Sequence, residues 1–443
     1  MPTTPNRTLR KLLCTTALGA LAATGFGYAT KAHASGFALR EGDTDWMATA
    51  FAGDTAKAYD ASTVWSNPAG MVRLNQNEID GSINGIFPNS TFSGANFVGP
   101  ATTTPGTTGG NLLESAATAG IYSVWSVSPD FKLGFGTGSP FGQRVTNPSN
   151  FVGRYQSLVS SITDVQFNLS AAYKINDQWS IGGGPVIDVF TARLTQALNT
   201  PAASFGDAGA DLHASSDTAA GFNLGVMYQA SPDLRFGLDY RSRIQHNISG
   251  TQSISIPAVY SLLPGGSALV GALNAQNSPA TTSITLPDSV TGGAYWQVTP
   301  QLALLSDISW TDWSLLKSIN VTPSAPFAAP STINENWRNT VAVSVGANYN
   351  LTKELMLQGG AGFDQSPVTD SNRTSRIPDS NRYLVSIGAQ YDILPNLTLQ
   401  AAYSHIFFAS AELTSQASTT SGVLVGKYTN AADTASLGVK YRF

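Results

Sequence analysis

Taken two residues at a time, the chain resolves into stretches in which every second side chain is apolar and those between are polar or small. In the last stretch Leu437, Val439, Tyr441 and Phe443 fall on one face, and Ser436, Gly438, Lys440 and Arg442 on the other. Val165, Phe167, Leu169, Ala171 and Tyr173 oppose Gln166, Asn168, Ser170, Ala172 and Lys174 in the same way. The pattern recurs around Phe222–Tyr228, Val341–Tyr349 and Tyr383–Tyr391. Successive side chains of a strand point to opposite faces, so this period predicts an all-β chain of about fourteen strands.

Alternation suits a soluble sandwich as well as a membrane barrel, and the connections distinguish them. Tight turns are expected at Ser128-Pro129-Asp130, Asn176-Asp177, Ser231-Pro232-Asp233, Thr299-Pro300, Asn350-Leu351-Thr352 and Leu394-Pro395-Asn396. Between successive turns the chain makes two strands joined by a long, irregular segment. Short connections at one end and long ones at the other describe a transmembrane antiparallel barrel. An aromatic residue stands a few positions before each turn (Trp125, Tyr173, Tyr228, Trp296, Tyr349, Tyr391), and Tyr441 stands similarly before the chain end. Rings repeated at one height predict an interfacial girdle. The terminal Tyr441-Arg442-Phe443 resembles the signal by which barrel proteins are handed to their insertion machinery.

Composition agrees with this solvent assignment. Only 12% of the residues are charged and 42% are hydrophobic, yet mean hydropathy is −0.03, so apolar and polar positions are interleaved. No run beyond the leader is long enough for a helical span, leaving strands to cross the membrane.

The leader itself is residues 1–34. Arg7, Arg10 and Lys11 precede an apolar stretch from Leu12 to about Tyr28, followed by Ala32-His33-Ala34. This is the order of a secretory signal cleaved before Ser35. Cys14, the one cysteine, lies inside it, so the mature chain is expected to have no disulfide or cysteine-ligated metal. Removing the four basic residues of the leader leaves 20 Lys and Arg against 28 Asp and Glu, which argues against nucleic acid as a partner.

Residues 35 to about 74 do not alternate and are rich in Ala, Gly, Asp and Thr. Such a segment cannot span lipid, where its backbone groups would go unpaired. Inside a polar lumen it would form a plug, ahead of a barrel over residues 75–443. Here Ala50-Phe51-Ala52-Gly53-Asp54, Asp60-Ala61, Val64 and Asn67-Pro68-Ala69 resemble the N-terminal hatch of the long-chain fatty acid transporter (FadL) family, which includes uptake channels for aromatic hydrocarbons. Ser35-Gly36-Phe37 is similar to that family's mature N-terminus. The likeness continues through Tyr240-Arg241-Ser242, Leu286-Pro287-Asp288, Trp310-Thr311-Asp312-Trp313-Ser314, Phe363-Asp364-Gln365-Ser366-Pro367-Val368 and Arg376-Ile377-Pro378-Asp379. It implies a fourteen-stranded, monomeric barrel closed by a hatch, passing hydrophobic ligands without an energy source.

The third strand reads Gly134-Phe135-Gly136-Thr137-Gly138-Ser139-Pro140-Phe141-Gly142. Proline cannot donate to a ladder, and a closed barrel has no edge on which to hide it. Gly136, Gly138, Pro140 and Gly142 therefore predict either a bulge at the rim or a gap in the wall. The resemblance implies the gap, a lateral opening through which ligand reaches outer-membrane lipid.

Two loops are unusually apolar. Residues 254–275 carry Ile254, Ile256, Val259, Tyr260, Leu262, Leu263, Leu269, Val270 and Leu273, and Leu194, Leu198 and Phe205 follow the fifth strand. Such surface marks a binding groove, or two loops packed on each other as a cap. A ligand carboxylate would need a buried cation. By resemblance Arg193 and Arg338 are the candidates, and Phe37 is the hatch residue expected at the ligand. Arg235, Arg241 and Arg243 are expected in the lumen, paired with Asp239 or hatch acids. Asn67, Pro68 and Ala69 are expected to fix a turn.

His213, His246 and His405 accompany no Gly-x-Ser-x-Gly, metal spacing or phosphate loop, so no enzymatic role, metal or cofactor is expected. The expected function is diffusive uptake of a hydrophobic compound, most of all a long-chain fatty acid. Aromatic hydrocarbon uptake, a surface adhesin or phage receptor using the long loops, and a general porin are the alternatives.

Overall fold

The computed structural model describes residues 36–443 except 100, 101, 327, 329, 417 and 419. The expected leader, with Cys14, lies outside the described residues, as does Ser35. Fourteen strands form the wall: β1 Glu78–Gly99, β2 Ala116–Ser126, β3 Phe131–Gly138 continued by Gly142–Thr146, β4 Val159–Lys174, β5 Trp179–Leu198 and β6 Asp217–Ser231. β7 is Leu234–Arg241 continued by Ile244–Ser255, and β8 is Ser278–Leu286 continued by Ser289–Gln297. β9 Leu302–Thr311, β10 Thr340–Asn350, β11 Leu355–Asp364, β12 Arg382–Leu394, β13 Leu397–Phe408 and β14 Val423–Arg442 complete it. Each pairs antiparallel with its neighbours, and β1 closes on β14 from Glu78↔Arg442 to Phe97↔Val423. The closure leaves no sheet edge, so the ladder can sit in lipid.

All six tight turns fall where the sequence places them, between strands ending at Ser126, Lys174, Ser231, Gln297, Asn350 and Leu394 and those starting at Phe131, Trp179, Leu234, Leu302, Leu355 and Leu397. The wall is inside-out relative to a soluble protein. Asn168, Asp188 and Asn223 are 0% exposed, while Leu169, Leu224 and Ile387 are 54%, 54% and 63% exposed. Apolar side chains thus face lipid and polar ones the lumen. Trp125, Tyr173, Trp296, Tyr349 and Tyr391 stand exposed near the short turns as a girdle, and Tyr228 stacks on Trp179 at 4.5 Å. Among the described residues no helix is long and apolar enough to cross a membrane.

The N-terminal segment fills the lumen. Helix α1 (Thr44–Ala48) packs against β1 and β11–β14, α2 (Thr63–Ser66) against β2–β4, and the 3-10 turn Pro68–Arg73 against β3–β6. Contacts on opposite walls place it inside. Backbone meets backbone there: a Cβ on Gly237 would lie 1.8 Å from the Thr55 carbonyl oxygen, and one on Gly360 would lie 2.0 Å from that of Thr49. Glycine at these wall positions is what lets the segment seat.

Candidate functional site

The site grows from the first described residues. Gly36 adopts φ +64°, and a Cβ there would strike the Trp337 ring. Its N–H donates to Asp379 Oδ2 at 2.8 Å, and Ser366 Oγ donates to the same oxygen at 2.6 Å. Anchored this way, Phe37 is 1% exposed and meets Trp313, Trp337 and Phe141 edge-on or tilted at 5.0, 5.5 and 5.8 Å. Such geometries set ring edges against ring faces and add to the burial itself. Val186, Ile244, Leu286, Val368 and Ile377 pack around the rings.

The same segment touches the wall where the third strand fails. Ser139, Pro140 and Phe141 lie between the two halves of β3, and the second half pairs with β4 alone. The β2–β3 ladder stops at Ile121↔Thr137. Beyond it the ladder between β2 and β3 is interrupted, and contact resumes only in the segment before β2, at the bridge Leu113↔Val145 and the bond from Thr146 N to Leu112 O at 2.9 Å. The N-terminal segment lies along the break: Leu39 N donates to Pro140 O at 2.6 Å, Gly142 N donates to Phe37 O at 2.8 Å, and Ala38 bridges Phe141. Behind the break, Glu41 O accepts from Thr118 Oγ1 at 2.6 Å and Gly42 O from Tyr122 Oη at 3.0 Å. Of the four residues expected at the opening, Pro140, Gly138 and Gly142 form or flank the break. Gly136 does not, since it stays in both ladders opposite Tyr122 and Asn168.

Two cavities adjoin the apolar cluster around these rings. One, about 80 Å³, is lined by Ile162, Phe190, Leu194, Leu212, Ile248 and Ile284 and is almost wholly apolar. The other, about 230 Å³, runs from Phe141 and Trp313 to Trp65, Arg40, Asp239 and Arg241. Arg241 lies over the Trp65 ring at 4.3 Å, and its Nε and Nη2 have no hydrogen-bond partner. A buried cation that lines a cavity with donors unspent, Asp239 standing on the same lining, is a place for an anion.

Arg241, expected to be paired within the lumen, is the cation beside the cavity. The two cations carried over by resemblance are elsewhere. Arg193 is half exposed and bound bidentately to Asp211 at 2.6–3.2 Å, because the outer strand Ala208–Ala214 pairs alongside β5. Arg338 is exposed, and its Nε donates to Ser366 O at 3.1 Å. Arg235 is likewise spent on backbone of the N-terminal segment, on the carbonyls of Ala56 and Lys57. Arg243 pairs with Asp288 at 3.1 Å.

The apolar loops form a cap. Tyr260 is fully buried, bound to Thr200 at 2.7 Å and to Gly206 O at 2.6 Å. Ile256 and Leu263 pack with it against Leu198, Ala202 and Ala208, while Leu262 is 82% exposed. The groove residues named from sequence thus join the two loops, and Leu262 and Phe205 stand outside. Asn67 Oδ1 accepts from Ala69 N at 3.1 Å, and its Nδ2 donates to Thr55 O at 2.8 Å and to Val226 O of the wall at 3.1 Å. With Pro68 setting the first helical position, the turn fixes the segment to β6.

Sequence reasoning did not single out Trp313, Trp337 or Asp379 as site residues. Trp313 and Asp379 stand inside the matched stretches, and an anchoring acid or an aromatic repeated within such a stretch is the signal that points to them. In the loop before β10, Glu335 is buried and accepts from Trp337 Nε1 at 3.0 Å. Burial pushes its carboxyl up to about 8, against the opposing pull of Trp337 and Arg376.

A closed barrel with a lipid-facing apolar band, a lumen filled by its own N-terminus and a cavity behind a broken strand defines an outer-membrane transport barrel. The family model described as outer membrane protein transport protein (OMPP1/FadL/TodX) matches residues 26–443, and the chain belongs to that family of outer-membrane transporters of hydrophobic substrates. A putative outer membrane protein of Neisseria meningitidis is 27% identical, over 94% of this chain and 96% of that one. The long-chain fatty acid transport protein of Escherichia coli is 24% identical, over 85% and 88%. A FadL homologue of Pseudomonas aeruginosa matches with TM-score 0.84 at 23% identity, over 92% and 100%. The toluene transporter TbuX of Ralstonia pickettii matches with TM-score 0.65 at 17% identity, over 91% and 99%. At these identities the structural likenesses speak to the fold alone.

Proposed function

We propose that this monomeric barrel takes up long-chain fatty acids by diffusion and performs no chemistry on them. The chain from Gly36 to about Leu74 serves as the hatch, and the break in β3 as the exit into the outer-membrane lipid. Ligand enters the apolar cavity beside Phe190, displaces Phe37 from Trp313 and Trp337, and reaches the cavity at Arg241. The observation that carries this reading is the sharing of one segment by pocket and break. Phe37 stands in the aromatic cluster, while the backbone of Phe37 and Leu39 is bonded to Gly142 and Pro140. Movement of Phe37 by a ligand therefore loosens the lining of the break.

Arg241 is the reason for choosing a fatty acid, since its free donors suit a carboxylate. The uncharged walls of the cavity at Phe190 suit a neutral aromatic equally well, which keeps hydrocarbon uptake as the second reading. Binding of radiolabelled oleate and toluene to the detergent-purified mature barrel separates them. Oleate binding that weakens roughly tenfold or more in Arg241→Ala, the loss of a charge-assisted hydrogen bond, is the expected result. Toluene binding alone would move the protein to the hydrocarbon reading, and binding of neither would leave the long loops and a surface-receptor role.

A further inference from the structure

The floor of the N-terminal segment carries acids that transport does not use. Asp43 caps α1, Asp45 lies within it and Asp60 precedes α2; all are at most 1% exposed, and one carboxylate oxygen from each lies within 4.8 Å of the others. Strand β1 brings two more, Asp80 at 0% and Glu78 at 3% exposure. Most of this charge is matched. Lys57 Nζ is 2.9 Å from Asp45 and 2.8 Å from Asp54, Lys440 is 4.0 Å from Asp60, and Arg442 is 3.2 Å from Glu78. Asp45 Oδ1 also accepts from Gln358 and Gln390 at 2.7 Å.

Asp43 and Asp80 are different. Asp43 Oδ1 accepts from Asp45 N, but its Oδ2 has no donor, and neither oxygen of Asp80 has one. The two carboxyl groups face each other across the boundary between segment and wall. On Gln400, whose Nε2 is 3.4 Å from Asp60 Oδ2, the amide oxygen is a further acceptor without a donor. Wholly buried acceptors converging without donors are rare, and their natural complement is a cation. Five carboxylates face Lys57, Lys440 and Arg442, and Lys57 is shared with Asp54, so at least two positive charges are wanting.

We propose that Asp43, Asp45 and Asp60, with Asp80 facing Asp43 from the wall, form a divalent-cation site, calcium in type, that latches the N-terminal segment to β1. Hard carboxylate oxygens select calcium or magnesium. Oxygens on opposite sides of calcium stand about 4.6–5.2 Å apart, a span that the 4.8 Å limit among Asp43, Asp45 and Asp60 allows, whereas magnesium draws them closer. The polar cavity at the short-turn end is lined by Gln390, Lys440 and Arg442, the side chains that meet Asp45, Asp60 and Glu78 of the floor.

The test uses the mature barrel refolded free of lipopolysaccharide, which itself binds divalent ions. Terbium luminescence excited through Trp46, next to Asp45 in the chain, and calorimetric titration with calcium report on the site directly. One saturable site is expected, with an unfolding temperature that rises with calcium and falls with chelator. Asp80→Asn and Asp43→Asn should each weaken binding at least tenfold, and Asp233→Asn, in an exposed turn, should leave it unchanged. If either variant fails to fold, the other serves. Absence of saturable binding up to about 10 mM calcium, or equal binding by all the variants, would overturn the proposal and leave a proton shared between Asp43 and Asp80 as the compensating charge. Failure of the transport reading would show as lost ligand binding in the earlier assay and would not touch this result.

Discussion

Gly237→Ala isolates the seating of the N-terminal segment from the integrity of the wall. The added Cβ would lie 1.8 Å from the Thr55 carbonyl oxygen and 2.5 Å from its carbon, and both are backbone atoms that no rotamer change can move. Relief to an ordinary contact of about 3.4 Å requires a shift of roughly 1.5 Å. The shift would break the bonds that Asp307 accepts from Asp54 N at 2.6 Å and Thr55 Oγ1 at 2.5 Å, and those from Arg235 to Ala56 O and Lys57 O. Overpacking of this kind costs about 1–3 kcal/mol, and each lost bond to a charged group about 1.5–3 kcal/mol. The wall ladder Gly237↔Gly293 loses no bond. The barrel should therefore keep its heat-modifiable migration in gels while the segment is displaced. Residues 35–443 contain no cysteine, so Thr55→Cys in that chain reports the displacement by maleimide labelling, and planar-bilayer conductance reports the opened lumen. Labelling and conductance equal to those of the parent would refute the claim that glycine seats the segment.

Replacing Pro140 by Thr restores a donor and favours a continuous third strand; uptake of a labelled fatty acid by whole cells should fall with the amount of folded barrel unchanged. Glu335 titrates near 8 in the folded protein against an ordinary 4.5, so the folded state holds an extra proton between those values. Its contribution to stability is fully present below about pH 4.5 and falls as pH rises towards 8, by up to about 1.4 kcal/mol per pH unit. Hydrogen exchange of residues 335–338, corrected for intrinsic rates, should thus quicken between pH 5.5 and 8.5 in the parent and much less in Glu335→Gln.

The wall was legible in the sequence because a strand alternates by geometry and a barrel repeats that alternation against two solvents. The six short turns followed from Pro, Asn and Asp at fixed places, and the break at Pro140 followed from one rule, that proline has no donor for a ladder. Cation pairing was not legible. Arg193 reads like a site cation until the outer strand at Ala208–Ala214 brings Asp211 beside it, and no local pattern announces that pairing. Arg241 alternates into the lumen like Arg235, yet Arg235 meets carbonyls of the N-terminal segment and Arg241 meets Trp65, a difference set by how the segment folds within the barrel. The apolar loops satisfied both readings of exposed hydrophobicity until Tyr260 was seen bound to Thr200 and Gly206.

The central claim is that release of Phe37–Leu39 from the third strand opens the way for ligand. Ala38 and Phe141 form a bridge flanked by the bonds Leu39 N to Pro140 O and Gly142 N to Phe37 O. This makes them a non-hydrogen-bonded pair with Cα atoms about 4.5 Å apart, within the range a disulfide spans. Uptake of labelled oleate by the Ala38→Cys, Phe141→Cys double variant should be blocked when oxidised and return on reduction. Equal uptake in the oxidised and reduced states would contradict the account.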